Sequence, residues 1–425
     1  MTATIFTARR IITMNGYRPL AQAVLVRDGR IVAVGTVEEC QAWGEANVDD
    51  RFADKVLMPG MVEAHGHSAE GVFLDFPYVG YYDVPRPDGS IAKGVRSYDE
   101  LLEVLRAADA ALEPGETLVA NAFDPIYFAG QERLSKEHLD QVSTTRPIFV
   151  RHASGHLATV NTAMLVAEGI AKDTQTPGVD LGDDGEPSGE LQEAPAMALA
   201  KSAAEPLMKA NSDPQGLVDY GRLCRNAGVT TTSELAGLMI IAAAQADMFD
   251  SVVNDPSFPA RVSVYNVPGI PGVPADYAAA ATAARALAER NTDKLRLGGI
   301  KLIGDGSLQG WTACCSHPGY FTGEDHGLAQ FTDDDLNLAV KTFHEAGLQI
   351  FCHANGDASA DQFINAVDLA LRDYAWLDHR HTVQHSQVTR AAQYRRMATL
   401  GIAANIFTNH IWYWGDQHYE QVMGP

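Results

Sequence analysis

The chain has 425 residues, 46% of them hydrophobic and 20% charged, the balance of an ordinary globular protein with a large core rather than of a disordered one. Its formal net charge of −22 repels nucleic acid and anionic membrane, so neither is an expected partner. No stretch approaches the ~20 apolar residues of a membrane span, and no apolar run follows Arg9-Arg10 as a secretory signal requires; the cytoplasm is the expected location.

In chain order, Thr4–Met14 and Ala21–Val34 are rich in Ile, Val and Thr, and Arg27-Asp28-Gly29-Arg30 is a hairpin signal between apolar runs. Residues 1–58 therefore read as a small antiparallel β-sheet domain. After Pro59-Gly60, a short buried strand is expected to end at His65-Gly66-His67. Residues from about 70 to 225 have a mixed texture and read as a large insertion. It holds a helical stretch near Tyr98–Leu112, a strand at Pro147–Arg151 and loops at Tyr82–Gly94 and Thr174–Gly189. Strands and helices then alternate. The strands are expected at Gly228–Ser233, Arg261–Asn266, Leu295–Ile303, Leu348–His353, His381–His385 and Gly401–Ile406, with amphipathic stretches such as Ala275–Arg290 and Asp333–Ala346 between them. That alternation predicts an α/β fold, a (β/α) TIM-type barrel over residues 59–425 whose eighth strand is not in the sequence.

The chemistry lies at the strand ends. On an extended strand His65 and His67 project from one face, so both imidazoles can reach one ion. His353 and His385 each end a further strand, and in such a barrel those ends converge on the face where active sites form. Four histidines at that phase favour a metal centre over hydrogen-bonded core residues. Lys301 sits in an apolar strand just before Gly304-Asp305-Gly306, where a lysine is costly unless paired or chemically changed. It either pairs with Asp305 or solvent, or belongs to the metal site. The five cysteines, Cys40, Cys224, Cys314, Cys315 and Cys352, match no disulfide framework or zinc pattern, and Cys352 is expected to point away from the face of His353.

These residues resemble the amidohydrolase superfamily, specifically the amidohydrolase family 3 group that includes N-substituted formamide deformylases. The likeness runs through Pro59–His67, Ser154-Gly155-His156 with Asn161, Gly185–Gly189, Lys301 with Asp305-Gly306-Ser307, His353–Asp357 and His385-Ser386-Gln387. It implies a small β-sandwich completed by C-terminal strands, and one or two divalent ions, zinc first. His65 and His67 would hold the more buried ion, His353 and His385 the second, and Lys301, carboxylated by carbon dioxide, would bridge them. It also implies an aspartate acting as general acid/base on an eighth strand. Neither Asp416 nor Glu420 sits at a strand end, so that aspartate is expected beyond residue 425. The implied reaction is hydrolysis of a non-peptide C–N bond in a small-molecule amide by metal-activated water. Arg151, His156 and Trp311 are the candidate substrate contacts, and a homo-oligomer is expected only on general frequency. The competing readings are a mononuclear deaminase, a phosphoester hydrolase, and an inactive truncated fragment or binding protein on the same scaffold.

Overall fold

A computed structural model describes residues 3–128, 132–239, 243–270, 273–321, 323 and 327–424. The chain divides into two compact units, residues 1–62 with 228–230, and residues 63–227 with 231–425.

The first unit is built on a four-stranded sheet of order β3-β2-β1-β4, with β1 at Thr4–Ile12, β2 at Leu20–Arg27, β3 at Arg30–Gly35 and β4 at Asn47–Leu57. Asp28 (φ 52°) and Gly29 (φ 71°) turn β2 into β3 and bring Arg27 opposite Arg30, the left-handed pair that a tight hairpin requires. The sheet is mixed rather than purely antiparallel as expected. β4 pairs with β1 in parallel, because a short helix, Val37–Gln41, carries the chain back before β4 begins. Ile5, Ala23, Leu25 and Cys40 form its small core.

In the second unit a parallel sheet curls into a half-barrel of order β18-β17-β16-β15-β14-β13-β5. Its strands are β5 (Met61–Glu63, straddling the division), β13 (Val229–Met239), β14 (Arg261–Val267), β15 (Leu295–Ile303), β16 (Ile350–Ala354), β17 (Thr382–His385) and β18 (Ala403–Ile406). The buried first strand expected up to His67 is a three-residue, exposed edge strand, and both histidines lie beyond its end. Helices Tyr277–Ala288, Asp333–Glu345 and Asp357–Asp373 pack apolar faces on β15–β17 around Phe343, Ile350, Phe363 and Val383. Across the curl, the Asn405 side chain of β18 donates to the Ala64 carbonyl (3.1 Å) and to Gln384 Oε1 (2.7 Å).

Between β5 and β13 the chain builds a second sheet of order β11-β12-β10-β9-β8. Ahead of it, β6 (Val84–Pro85) and β7 (Ile91–Ala92) pair inside the expected loop Tyr82–Gly94. Its members are β8 (Leu118–Phe123), β9 (Ile148–His152), β10 (Leu157–Val160), β11 (Val179–Leu181) and β12 (Pro187–Gln192). The expected loop Thr174–Gly189 is thus largely β-structure: Val179 faces Leu191, and Gly182–Gly185 forms the turn that hides two short strands from a periodicity reading.

Candidate active site

The half-barrel sets its chemistry at the C-terminal ends of its strands. In register, Ile303 lies beside His353 and Ala354 beside His385. His65 and His67 come from the turn after β5, where Leu235 N–H bonds the Gly66 carbonyl (3.0 Å). Gly66 is required there, because a Cβ would overlap the Tyr220 hydroxyl and lie 2.8 Å from the Ser233 carbonyl. The His65 ring centroid lies 5.1 Å from His67 and 4.2 Å from His385, and His385 lies 4.4 Å from His353. Lys301, 2% exposed, faces the same cavity as these four imidazoles.

Hydrogen bonds orient the rings. His65 Nδ1 lies 2.8 Å from Gln384 Oε1, which can only accept, so the proton sits on Nδ1 and Nε2 keeps its lone pair. His353 Nε2 lies 3.0 Å from the Gly306 carbonyl, which leaves Nδ1 with the lone pair. His385 Nδ1 is buried without a partner. His385 (φ 68°) and Ser386 (φ 49°) both adopt left-handed backbone, strain that persists where surrounding structure imposes it.

Burial, with Lys301 and His67 adding repulsion, pushes His65 down to about 2, and burial with neighbouring imidazoles and Lys301 drives His353 and His385 well below the usual range. All three are thereby held neutral, the form that ligates metals. Burial lowers Lys301 to about 7, opposed by Cys352 and Glu234, so its ammonium is destabilised. Asp305 is not its partner. That carboxylate, pushed up to about 7 by burial, accepts backbone N–H groups from Gly356 (2.8 Å), Asn355 (3.0 Å) and Cys314 (3.0 Å), tying together the loops after β15 and β16.

These donors have the chemistry a divalent ion needs: neutral imidazoles, a lysine disposed to lose its proton, an orphaned His385 Nδ1 and an orphaned Glu234 Oε1. The rings lie against one another, however, and among the described residues no three His, Cys, Asp or Glu side chains by themselves form a coordination set. Cys352 is completely buried, with its thiol pushed up by burial; it is absent from the cavity lining.

The cavity, about 460 Å³, is also lined by Arg151 and Ser154 to His156. His156 Nδ1 lies 2.8 Å from Glu193 Oε2; burial alone would lower this imidazole, but the charge and hydrogen bond of Glu193 raise it. The His156 ring lies 4.7 Å from His353. Trp311, a candidate substrate contact, is absent from the cavity lining: it packs beside Ile126 and Leu308, with the Arg133 guanidinium 5.5 Å from its ring. The tail segment supplies the tryptophan instead. Phe407, His410 and Trp414 line the cavity, and Trp414 Nε1 donates to Asp124 (2.8 Å).

Sequence reading missed Glu234, Glu193 and His410. Glu234 follows directly on the expected strand Gly228–Ser233; the observed β13 runs past it, and its buried carboxylate accepts from Ser68 N–H and lies 3.9 Å from His67 Nδ1. The one signal was an acidic residue at that strand's end.

Residues 53–425 match the sequence profile of the amidohydrolase family. The chain belongs to that family. As an amidohydrolase it is 22% identical over 421 residues to Protein LONG AFTER FAR-RED 3 of Arabidopsis thaliana, covering 96% of this chain and 68% of that protein. It is 25% identical over 398 residues to the N-substituted formamide deformylase of Arthrobacter pascens, covering 92% of this chain and 70% of the relative. Its fold is similar to that of an uncharacterized metal-dependent hydrolase from Pyrococcus horikoshii, with TM-score 0.65, 16% identity and coverage of 98% and 77%. The family makes this chain a hydrolase and points to a divalent metal.

Proposed function

We propose that this amidohydrolase cleaves the C–N bond of a small, non-peptide amide. The observation that carries the reading is the gathering of His65, His67, His353 and His385 around a buried Lys301 in one cavity. The architecture fitting this role is a (β/α) TIM-type barrel over residues 59–425 with an insertion at about 70–225, and a β-sandwich on residues 1–58. His65 and His67 would hold one ion, His353 and His385 a second, and Lys301 would bridge them as a carbamate. Its lowered affinity for a proton favours the neutral amine that attacks carbon dioxide. Zinc suits the imidazole-rich set.

Bound there, a divalent ion would supply a nucleophilic water at neutral pH and polarise the scissile carbonyl. The chain's own residues do the rest. His156, oriented by Glu193, presents its remaining ring nitrogen to the substrate. Gln384 fixes the ring of His65, and Trp414 and Phe407 exclude water from one side of the cavity. In a hydrolase of this kind an aspartate would hand the proton to the leaving amine. No helix among the described residues is long and apolar enough to cross a membrane, and no disulfide joins any two of the five cysteines, as suits a cytoplasmic enzyme.

Metal analysis of the wild type and of Lys301→Ala, purified in bicarbonate buffer, tests this reading together with turnover of N-substituted formamides and acetamides. The wild type should carry about two ions per chain, and the variant should lose metal and turnover together. Unchanged metal content in Lys301→Ala removes the lysine from the site.

A further inference from the structure

Resting on the hydrolase reading, we propose that the substrate is anionic: an N-acylated compound with an apolar body whose carboxylate docks on Arg151. Arg151 lies on β9, opposite Asn121 of β8, and reaches the cavity that holds the histidines and Lys301. Its guanidinium is held from three sides. Nη1 donates to the buried Asn121 Oδ1 (2.9 Å), the guanidinium carbon stands 4.1 Å from the centre of the Phe73 ring, and Gly155 leaves room for Nη2, which a Cβ would approach to 2.9 Å. Gly155 also has φ +75°, so a side chain there is disfavoured on two counts.

This orientation comes without a counter-charge in hydrogen-bonding contact. Among the described residues the bond to Asn121 is the one the guanidinium makes, and its nearest carboxylate, Glu70, is 4.0 Å away with its side chain 49% exposed. A cation that is 79% covered and only grazed by a solvated glutamate carries a desolvation cost that its surroundings do not repay. A ligand carboxylate repays it. The planar fork matches two carboxylate oxygens, and the N–H groups not used on Asn121 are free to meet them. Phe73, Met197, Leu235, Phe407 and Trp414 give the same cavity its apolar wall. An apolar body, a carboxylate and an amide are together the description of an N-acyl amino acid with an apolar side chain.

The test is titration calorimetry of the full chain, with its metal, against N-acetyl-D- and N-acetyl-L-phenylalanine and the matching N-acetylphenylalaninamides. At least one carboxylate should bind about ten-fold or more tightly than its carboxamide, the worth of one charge-assisted pair. Arg151→Met should erase that preference, and Arg151→Lys should keep part of it. Glu70→Gln, on an exposed helix face, should strengthen carboxylate binding, and this second variant reads the same contact should Arg151→Met fail to fold. Repeating the comparison after metal removal separates Arg151 from a carboxylate bound on the ion. Equal affinity of carboxylate and carboxamide, no binding of either, or a preference that survives Arg151→Met overturns the inference. Turnover of neutral and anionic amides alike would sink it while sparing the hydrolase reading, whereas Arg151-dependent binding without metal or turnover would do the reverse.

Discussion

Three histidines at the opposite end of the half-barrel make a pH prediction with a sign and a size. His381 Nδ1 accepts the Ile350 N–H (3.0 Å), so its proton must sit on Nε2, which lies 2.9 Å from His344 Nδ1. His344 is then protonated on Nε2, 2.7 Å from the Tyr374 carbonyl. His379 Nδ1 accepts the His381 N–H (2.9 Å), and its Nε2 meets the Leu400 carbonyl (2.8 Å). Every ring nitrogen has an assigned role, so a further proton on any ring has to displace a donor. Burial, aided by His379 and His344, accordingly lowers His381 to about 2 from 6.5. With the folded value depressed, the stabilisation is complete above pH 6.5 and drains away as pH falls toward 2, at about 1.4 kcal/mol per unit. From pH 7 to pH 5 this one group withdraws about 2 kcal/mol. His381→Asn keeps an acceptor for Ile350 but loses the proton shared with His344, so at pH 7 it should be less stable by about 1 kcal/mol. By pH 5 the gap should have closed or inverted. Urea unfolding followed by tryptophan fluorescence measures it, with Trp376 set edge-on 5.7 Å from His381 as the local reporter. A gap between the two proteins that is the same at pH 7 and pH 5 would refute the assignment of protons.

Asp305→Asn should destabilise the fold by roughly 2–6 kcal/mol, because its Oδ2 accepts from both Cys314 and Gly356 and an amide nitrogen there would face two donors; denaturant midpoints check this, and a loss under 1 kcal/mol would deny the staple its role. Glu234→Gln leaves the volume but removes a buried charge beside His67 and Lys301, so metal content measured by atomic absorption should drop while the circular dichroism spectrum stays the same; full retention of metal would make Glu234 a structural residue. Cys352→Ala should keep its metal, the thiol being absent from the cavity lining, although removing a buried group costs about 1 kcal/mol of stability; loss of metal in this variant would bring the thiol into the site.

Much of this was legible in the sequence because parallel strands buried on both faces read as apolar runs, and Leu295–Ile303 occupies the span its pattern predicts. The histidines were legible for the same reason, each marking where such a run gives way to a loop. Where the reading failed, the physics differs. β5 is too short and exposed to carry an apolar pattern, and β11 and β12 are split by a glycine- and aspartate-rich turn that outweighs their few strand residues. The parallel pairing of β4 with β1 depends on a crossover, which no local periodicity encodes. Trp414 comes to the cavity through a contact no local pattern encodes, the Asp124 carboxylate, far away in sequence, accepting from its indole.

The residues that sequence reading missed share one property: their position is set by long-range contact. Glu193 holds a left-handed backbone (φ 64°), and its Oε1 is buried without a partner while Oε2 orients His156. An isolated chain would not choose that conformation for a glutamate, so the β10–β12 pairing imposes it. His385 and Ser386 repeat the left-handed backbone at the end of β17, and His385 lines the same cavity. Strain at these positions and unsatisfied polar atoms beside them cost stability that an apolar core elsewhere offsets, and such costs concentrate where a bound group recovers them. The orphaned His385 Nδ1, the orphaned carboxylate oxygen of Glu193 and the thinly partnered guanidinium of Arg151 all belong to residues that line one cavity. A scaffold selected for stability alone would have paired or replaced them; their convergence is the physical argument behind the proposed cation and anion sites.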